Sequence, residues 1–164
     1  MKLATLPLLL CVLMFLSVSE GVVFCPGGWA LIGGRCFRYV PDALTWAEAE
    51  KNCLFNGANL ASVHSPEEYR DILAVTHRSG RTWIGGSDSA QNQVWLWSDG
   101  KPMSYTNWCP HEPNNVHGNE HCLEMNHAGR KCWKGLNCLV RLPSVCVKKN
   151  LKIWMGIVKK EVEK

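Results

Sequence analysis

Residues 94–125 read VWLWSDGKPMSYTNWCPHEPNNVHGNEHCLEM, and this stretch decides the fold class. Val94 to Trp97 is an apolar, aromatic run that suits a short strand, and the Ser98-Asp99-Gly100 that follows is a turn signal. From Lys101 to Gly118 the chain is dominated by Pro, Asn, His and Gly. Cys122 to Met125 then reads as a strand again. Long loops inside compact domains are usually functional or disordered, and the cysteines at Cys109 and Cys122 argue against disorder here. The stretch therefore predicts a domain of short strands carrying one long, pinned loop.

Working outward, Arg35 to Val40, Trp83 to Gly86 and Ser144 to Val147 are further short strand candidates. Two segments read as helices. In the first, Thr45 stands three residues before Glu48 as a capping box, Trp46, Ala49 and Cys53 share a face, and Gly57 is the stop signal. In the second, Ser65 is the N-cap, Pro66 the first helical residue, and Glu67 and Glu68 fill the first turn. Tyr69, Ile72, Leu73 and Thr76 share its face, with Gly80 as its expected end. Trp29, Trp46, Trp83, Trp95 and Trp97 lie in or beside these elements and read as core; Trp108 and Trp133 flank the loop and also read as packing residues.

At the N-terminus, Lys2 precedes an apolar run from Leu6 to Val18 that is too short to span a bilayer and ends in small residues. Residues 1–21 are thus expected to be a secretory signal peptide, whose removal also removes Cys11. Eight cysteines remain, an even number in a chain bound for an oxidising compartment, which implies four disulfides. Zinc is the alternative, but no CxxC pair exists. Residues 22–147 form one domain of ordinary size, and 148–164 a basic tail. Eleven basic and eleven acidic residues fall within the domain, so the positive balance comes from the tail and nucleic acid is not an implied partner.

The order of elements and cysteines resembles the C-type lectin-like domain. Carrying the resemblance are Cys25-Pro26-Gly27-Gly28-Trp29, Thr45-Trp46-Ala47-Glu48-Ala49 with Cys53, Leu60 to Ser65, Trp83-Ile84-Gly85-Gly86, Trp95 to Gly100, Glu112-Pro113-Asn114, and the closing Cys138 and Cys146. The resemblance implies an α+β fold of two helices, two small antiparallel sheets and a long loop region. It also implies the pairs Cys25–Cys36, Cys53–Cys146 and Cys122–Cys138. Cys109 and Cys132 remain for an additional bridge, an arrangement that looks like secreted fish lectins of the nattectin kind and type II antifreeze proteins. Spacing alone leaves on the order of a hundred connectivities open.

In the family a calcium ion held by loop oxygens binds two vicinal sugar hydroxyls. Position by position, the resemblance implies that Glu112, Asn114 and Glu120 match its ligands and that the bond before Pro113 is cis, and Glu-Pro-Asn is associated with mannose-type hydroxyl geometry. The departure is Trp133-Lys134-Gly135, where the family has Trp-Asn-Asp. Gly135 offers only a backbone carbonyl, and Lys134 brings a cation toward a cation site unless it swings into solvent. Calcium takes roughly six to eight oxygens, so calcium is expected to be weakly held or lost.

His111, His117, His121 and His127 cluster in the same region and read as solvated loop residues rather than a zinc or copper site. His111-Glu112 begins an apparent metalloprotease motif that fails at Asn115 and at the helix-breaking Pro113. The chain therefore reads as a glycan-binding lectin and not an enzyme, with an ice-binding protein or a calcium-independent protein-binding, toxin-like homologue as alternatives. In the tail, Leu151, Trp154, Met155, Val158 and Val162 recur at helical spacing among lysines. That pattern fits a membrane-surface helix, but its short length and Gly156 favour a passive extension.

Overall fold

The computed structural model describes residues 22–76, 80–149, 151–154 and 157–158; the expected signal peptide lies outside the described residues. Among the described residues, eleven strands and two α-helices follow in chain order, with a short 3-10 helix at Val116–Gly118 in the long loop: β1 (Val22–Phe24), β2 (Ala30–Ile32), β3 (Arg35–Leu44), α1 (Trp46–Phe55), β4 (Asn59–Leu60), α2 (Pro66–Val75), β5 (Thr82–Ser87), β6 (Leu96–Trp97), β7 (Cys122–His127), β8 (Cys132–Leu136), β9 (Leu142–Lys149), β10 (Leu151–Trp154) and β11 (Ile157–Val158). They divide into two compact units, Cys25–Asn150 and a second made of the terminal segments. Among the described residues no helix is long and apolar enough to cross a membrane.

Both helices begin where their caps dictate. The Thr45 hydroxyl accepts from the Glu48 N–H and the Glu48 carboxylate accepts from the Thr45 N–H at 2.9 Å, a reciprocal pair that contributes about 1 kcal/mol. The Ser65 hydroxyl caps α2 by accepting from the Glu68 N–H, while the Glu68 carboxylate accepts from the His64 N–H at 2.8 Å. That helix stops at Val75 and not near Gly80: Thr76 forms its C-cap, and the Thr76 hydroxyl donates to the Leu73 carbonyl at 2.8 Å.

Within the larger unit the strand order is β2-β3-β9-β5-β7-β8, with β4 alongside β9 and β6 alongside β5. Its ladders are antiparallel except for one parallel pairing, Trp83 with Ser144, which joins the two small sheets the resemblance implies into one mixed sheet. Side chains alternate across a strand, and here the alternation separates two cores. Phe37, Ile84, Leu123, Met125, Val145 and Val147 face one, under α2; Val40, Trp83, Cys122 and Cys146 face the other, under α1. Glycine is required at Gly86, where a Cβ would fall 2.4 Å from Leu123.

Disulfides join Cys25–Cys36, Cys53–Cys146, Cys109–Cys132 and Cys122–Cys138. Strand β6 covers only Leu96–Trp97, shorter than the Val94 to Trp97 expected. Strand β9 continues to Lys149, so Lys148 and Lys149 pair with Cys36 and Arg35 rather than opening a tail. Lys148 lies 4.0 Å from the Trp29 ring and donates to the Asn56 carbonyl at the end of α1.

In the terminal unit the described tail residues are strands, neither the helix that the spacing offered nor a passive extension; Met155, Gly156 and residues 159–164 lie outside the described residues. Strand β10 pairs antiparallel with β1, Val22 opposite Ile153, and β11 pairs with β10. The β-branched Ile153, Ile157 and Val158 suit strands, and Gly156 weakens any helix across them.

Candidate functional site

The base of the long loop is an aromatic cluster. Trp133 on β8 is fully buried and meets the rings of Tyr69, Trp97, Tyr105 and Trp108 edge-on, at centroid distances of 5.5 to 6.1 Å. Trp108 forms a parallel bridge to Trp133, the Cys109 N–H donates to the Trp133 carbonyl at 2.8 Å, and the Cys109–Cys132 disulfide closes the same junction. The loop thus leaves the core from a cross-linked root, which meets the requirement for a rigid platform under a binding site.

Beyond that root the chain turns back on itself. The Glu112–Pro113 bond is cis, and His111, Asn115 and His117 hold φ of 68°, 47° and 59°, a left-handed conformation that costs a non-glycine residue of order 1 kcal/mol each. Side chains fix the turn. Asn114 donates through Nδ2 to Glu112 Oε1 at 3.0 Å and accepts from the Val116 N–H at 3.1 Å. The same Val116 N–H reaches Glu120 Oε2 at 3.2 Å. Asn115 accepts from the Glu120 N–H at 2.9 Å and donates to Asn92 at 2.8 Å, which ties the loop to the neighbouring turn.

Glu112, Asn114 and Glu120 are thereby brought together, and Lys134 stands among them. Its ammonium lies 3.3 Å from Glu112 Oε1 and 3.6 Å from Glu120 Oε1. Burial pulls Lys134 toward the neutral form, but the charges and hydrogen bonds of Glu112 and Glu120 outweigh it and hold its pKa above the ordinary lysine range. The lysine turns inward and not into solvent. Gly135 pairs with Leu123 across the sheet and packs on Glu120, whose carbonyl would be 3.0 Å from an added Cβ. Calcium requires oxygen ligands around a vacant centre, whereas here a fixed cation lies within 4 Å of both carboxylates. The residues as arranged do not fit a calcium ion.

The four histidines are not gathered. His111 and His117 are exposed. His121 Nδ1 pairs with the buried Asp88 at 2.8 Å and its Nε2 faces the Gly118 carbonyl at 3.2 Å; His127 pairs with the buried Glu124 at 2.7 Å. Among the described residues no group of three His, Cys, Asp or Glu side chains is placed to hold a metal. Ser62, His64 and Asp99 do meet, but in an order that fails as a catalytic relay. The buried Ser62 hydroxyl donates to Asp99 at 2.5 Å, accepts from Arg35 at 2.8 Å, and lies 3.1 Å from His64 Nε2. The carboxylate thus binds the serine instead of orienting the imidazole.

Sequence reading missed Asp88, Asn92 and Asn115 as supports of the loop. Their signal is weak, since Asn and Asp are ordinary turn residues whose partners here lie 23 to 33 positions away.

Comparison with known proteins places this arrangement. Residues 42–148 match the lectin C-type domain. Ladderlectin of Oncorhynchus mykiss is 43% identical over 79% of this chain and 70% of its own length, and the galactose-specific lectin nattectin of Thalassophryne nattereri is 39% identical over 76% and 80%. The crystal structure of a calcium-independent type II antifreeze protein superposes with a TM-score of 0.75 at 41% identity, covering 79% of this chain and 98% of that one. The chain belongs to the C-type lectin domain family.

Proposed function

We propose that this protein is a secreted, non-catalytic lectin whose loop from Cys109 to Cys138 binds glycans on microbial or host surfaces, as in innate defence, with calcium held weakly or not at all. The observation that carries the reading is the convergence of Glu112, Asn114 and Glu120 on one ammonium, on a loop cross-linked at its root. Carboxylates, an amide and an ammonium at fixed spacing provide both acceptors and donors for a hydroxyl-rich ligand. Four disulfides support passage through an oxidising compartment, and they leave no thiol nucleophile among the described cysteines.

Two carboxylates against one ammonium leave a net negative charge, which favours neutral or amino sugars over sialylated or sulfated ones. Glu112-Pro113-Asn114 supports mannose-type hydroxyls, whereas nattectin is galactose-specific. Binding to immobilised mannose, galactose and lactose, in chelator and again in calcium, tests the reading. Retention of at least one sugar in chelator, weakened by Asn114→Ala, is expected; no retention under either condition overturns it. The likeness to a calcium-independent antifreeze protein supports ice binding as a second reading, and thermal hysteresis without sugar binding would select it.

A further inference from the structure

Side chains alternate along a strand, so Trp133 enters the aromatic core and Lys134, one residue on, faces the loop. Glu112 and Glu120 have side chains only 6% and 12% exposed. Neither carboxylate is at liberty to turn into water, and both lie within 3.6 Å of the same nitrogen. Two carboxylates so close, with little solvent to screen them, repel strongly unless a cation stands between them. Among the described residues Lys134 is the only cation in ion-pair distance of either one. The remaining hydrogen bonds to the two carboxylates come from within the loop, from the Asn114 N–H and amide and from the Val116 N–H.

Resting on the reading of this loop as the binding site, we propose that Lys134 is a built-in counter-ion. Its ammonium takes the position between Glu112 and Glu120 that a divalent cation would fill, assembles the loop without metal, and bars calcium from it. Lys134 is thus a positioning residue: it acts through the two carboxylates and the Val116 N–H, and its role does not require contact with the ligand. A lysine suits the task because its charge is compact and its long stem reaches the loop from a strand fixed to the core. Removing that charge while keeping the stem should leave the carboxylates short of a cation and turn the loop into a divalent-cation site. Gly135 needs no change, since an aspartate there would push its Cβ against the Glu120 carbonyl.

The experiment is calcium titration by calorimetry of the full mature chain and its Lys134→Gln variant, with hydrogen exchange at the Val116 and Glu120 amides in chelator and in calcium. In wild type both amides stay protected in chelator, and calcium changes neither heat nor exchange. K134Q loses protection in chelator, recovers it in calcium, and binds calcium roughly a hundredfold more tightly than wild type, the scale on which ligand charge tunes such sites. Adding Glu112→Gln to K134Q abolishes the gain. Wild type binding calcium as tightly as K134Q, or K134Q indifferent to calcium, overturns the proposal. A K134Q chain that folds only in calcium supports it, and one that fails to fold even in calcium contradicts it. These readouts use metal and backbone amides but no sugar, so a failure of glycan binding overturns the functional reading alone.

Discussion

Two places in this domain set one cation between two carboxylates, and they do so differently. Arg35 on β3 holds Glu68 through Nε and Nη2 at 3.2 and 2.5 Å, donates to the hydroxyl and carbonyl of Ser62 at 2.8 and 3.0 Å, and stands 3.9 Å from Asp99. Lys134 on β8 lies 3.3 and 3.6 Å from Glu112 and Glu120 and is 23% exposed, against 14% for Arg35. A guanidinium presents a rigid fork of donors and commits each to a named acceptor; an ammonium is a point charge that another cation can replace. The first network staples α2 and the turn after β6 to the sheet. The second does for the loop what a bound ion would do. An ion pair that fixes a fold is thus distinguished from one that stands in for a ligand by the number of directed bonds more than by distance.

The contrast is broken most forcefully at Arg35. Replacing it by Met leaves two part-buried carboxylates without their cation and is expected to cost about 3–4 kcal/mol in urea unfolding, unaltered by calcium; a loss below about 1 kcal/mol would remove the distinction. Converting Cys109 and Cys132 to Ser frees the root of the loop and should cost about 3 kcal/mol by the loop-closure argument, with the loss concentrated in hydrogen exchange of residues 109–121. Lys134→Gln in chelator should cost less, about 1–2 kcal/mol, because the glutamine keeps the stem and an amide donor for the carboxylates, and unlike Arg35→Met it should be reversed by calcium.

The smallest effect is at His64, beside the Arg35 network. Burial first, then the Arg35 and Lys101 charges, push its pKa below 6.5 against the opposing pull of Glu68 and Asp99. The folded state therefore takes up a proton less readily than the unfolded chain. The His64 contribution is present above the unfolded value and fades as pH falls through it toward the lowered one. Unfolding midpoints from neutral to mildly acidic pH should decline less steeply in His64→Gln than in wild type; equal slopes would remove His64 from the account.

Much of this was legible in the residues. Thr45-x-x-Glu48 and Ser65-Pro66-Glu67-Glu68 announce both helix starts, because capping is local chemistry. Gly80 misled about the end of α2, since Thr76 caps the helix first. The tail misled more. Leu151, Trp154 and Val158 have helical spacing, yet Leu151–Trp154 is a strand paired with Val22–Phe24, about 130 positions away and invisible to periodicity, and Val158 in turn pairs with Ile153. At the site, the missing Asn-Asp pair after Trp133 flagged a defect, but the direction in which Lys134 turns depends on burial that no spacing encodes. Nor does spacing reveal that Gly135 packs on Glu120, whose carbonyl would lie 3.0 Å from an added Cβ.

Whether the loop carries its own cation is decided by a crystal structure of the wild-type protein grown in excess calcium. Lys134 Nζ is expected between Glu112 and Glu120, with no metal ion within coordination distance of either carboxylate. A calcium ion bound by Glu112, Asn114 and Glu120, with the Lys134 side chain turned into solvent, would contradict it.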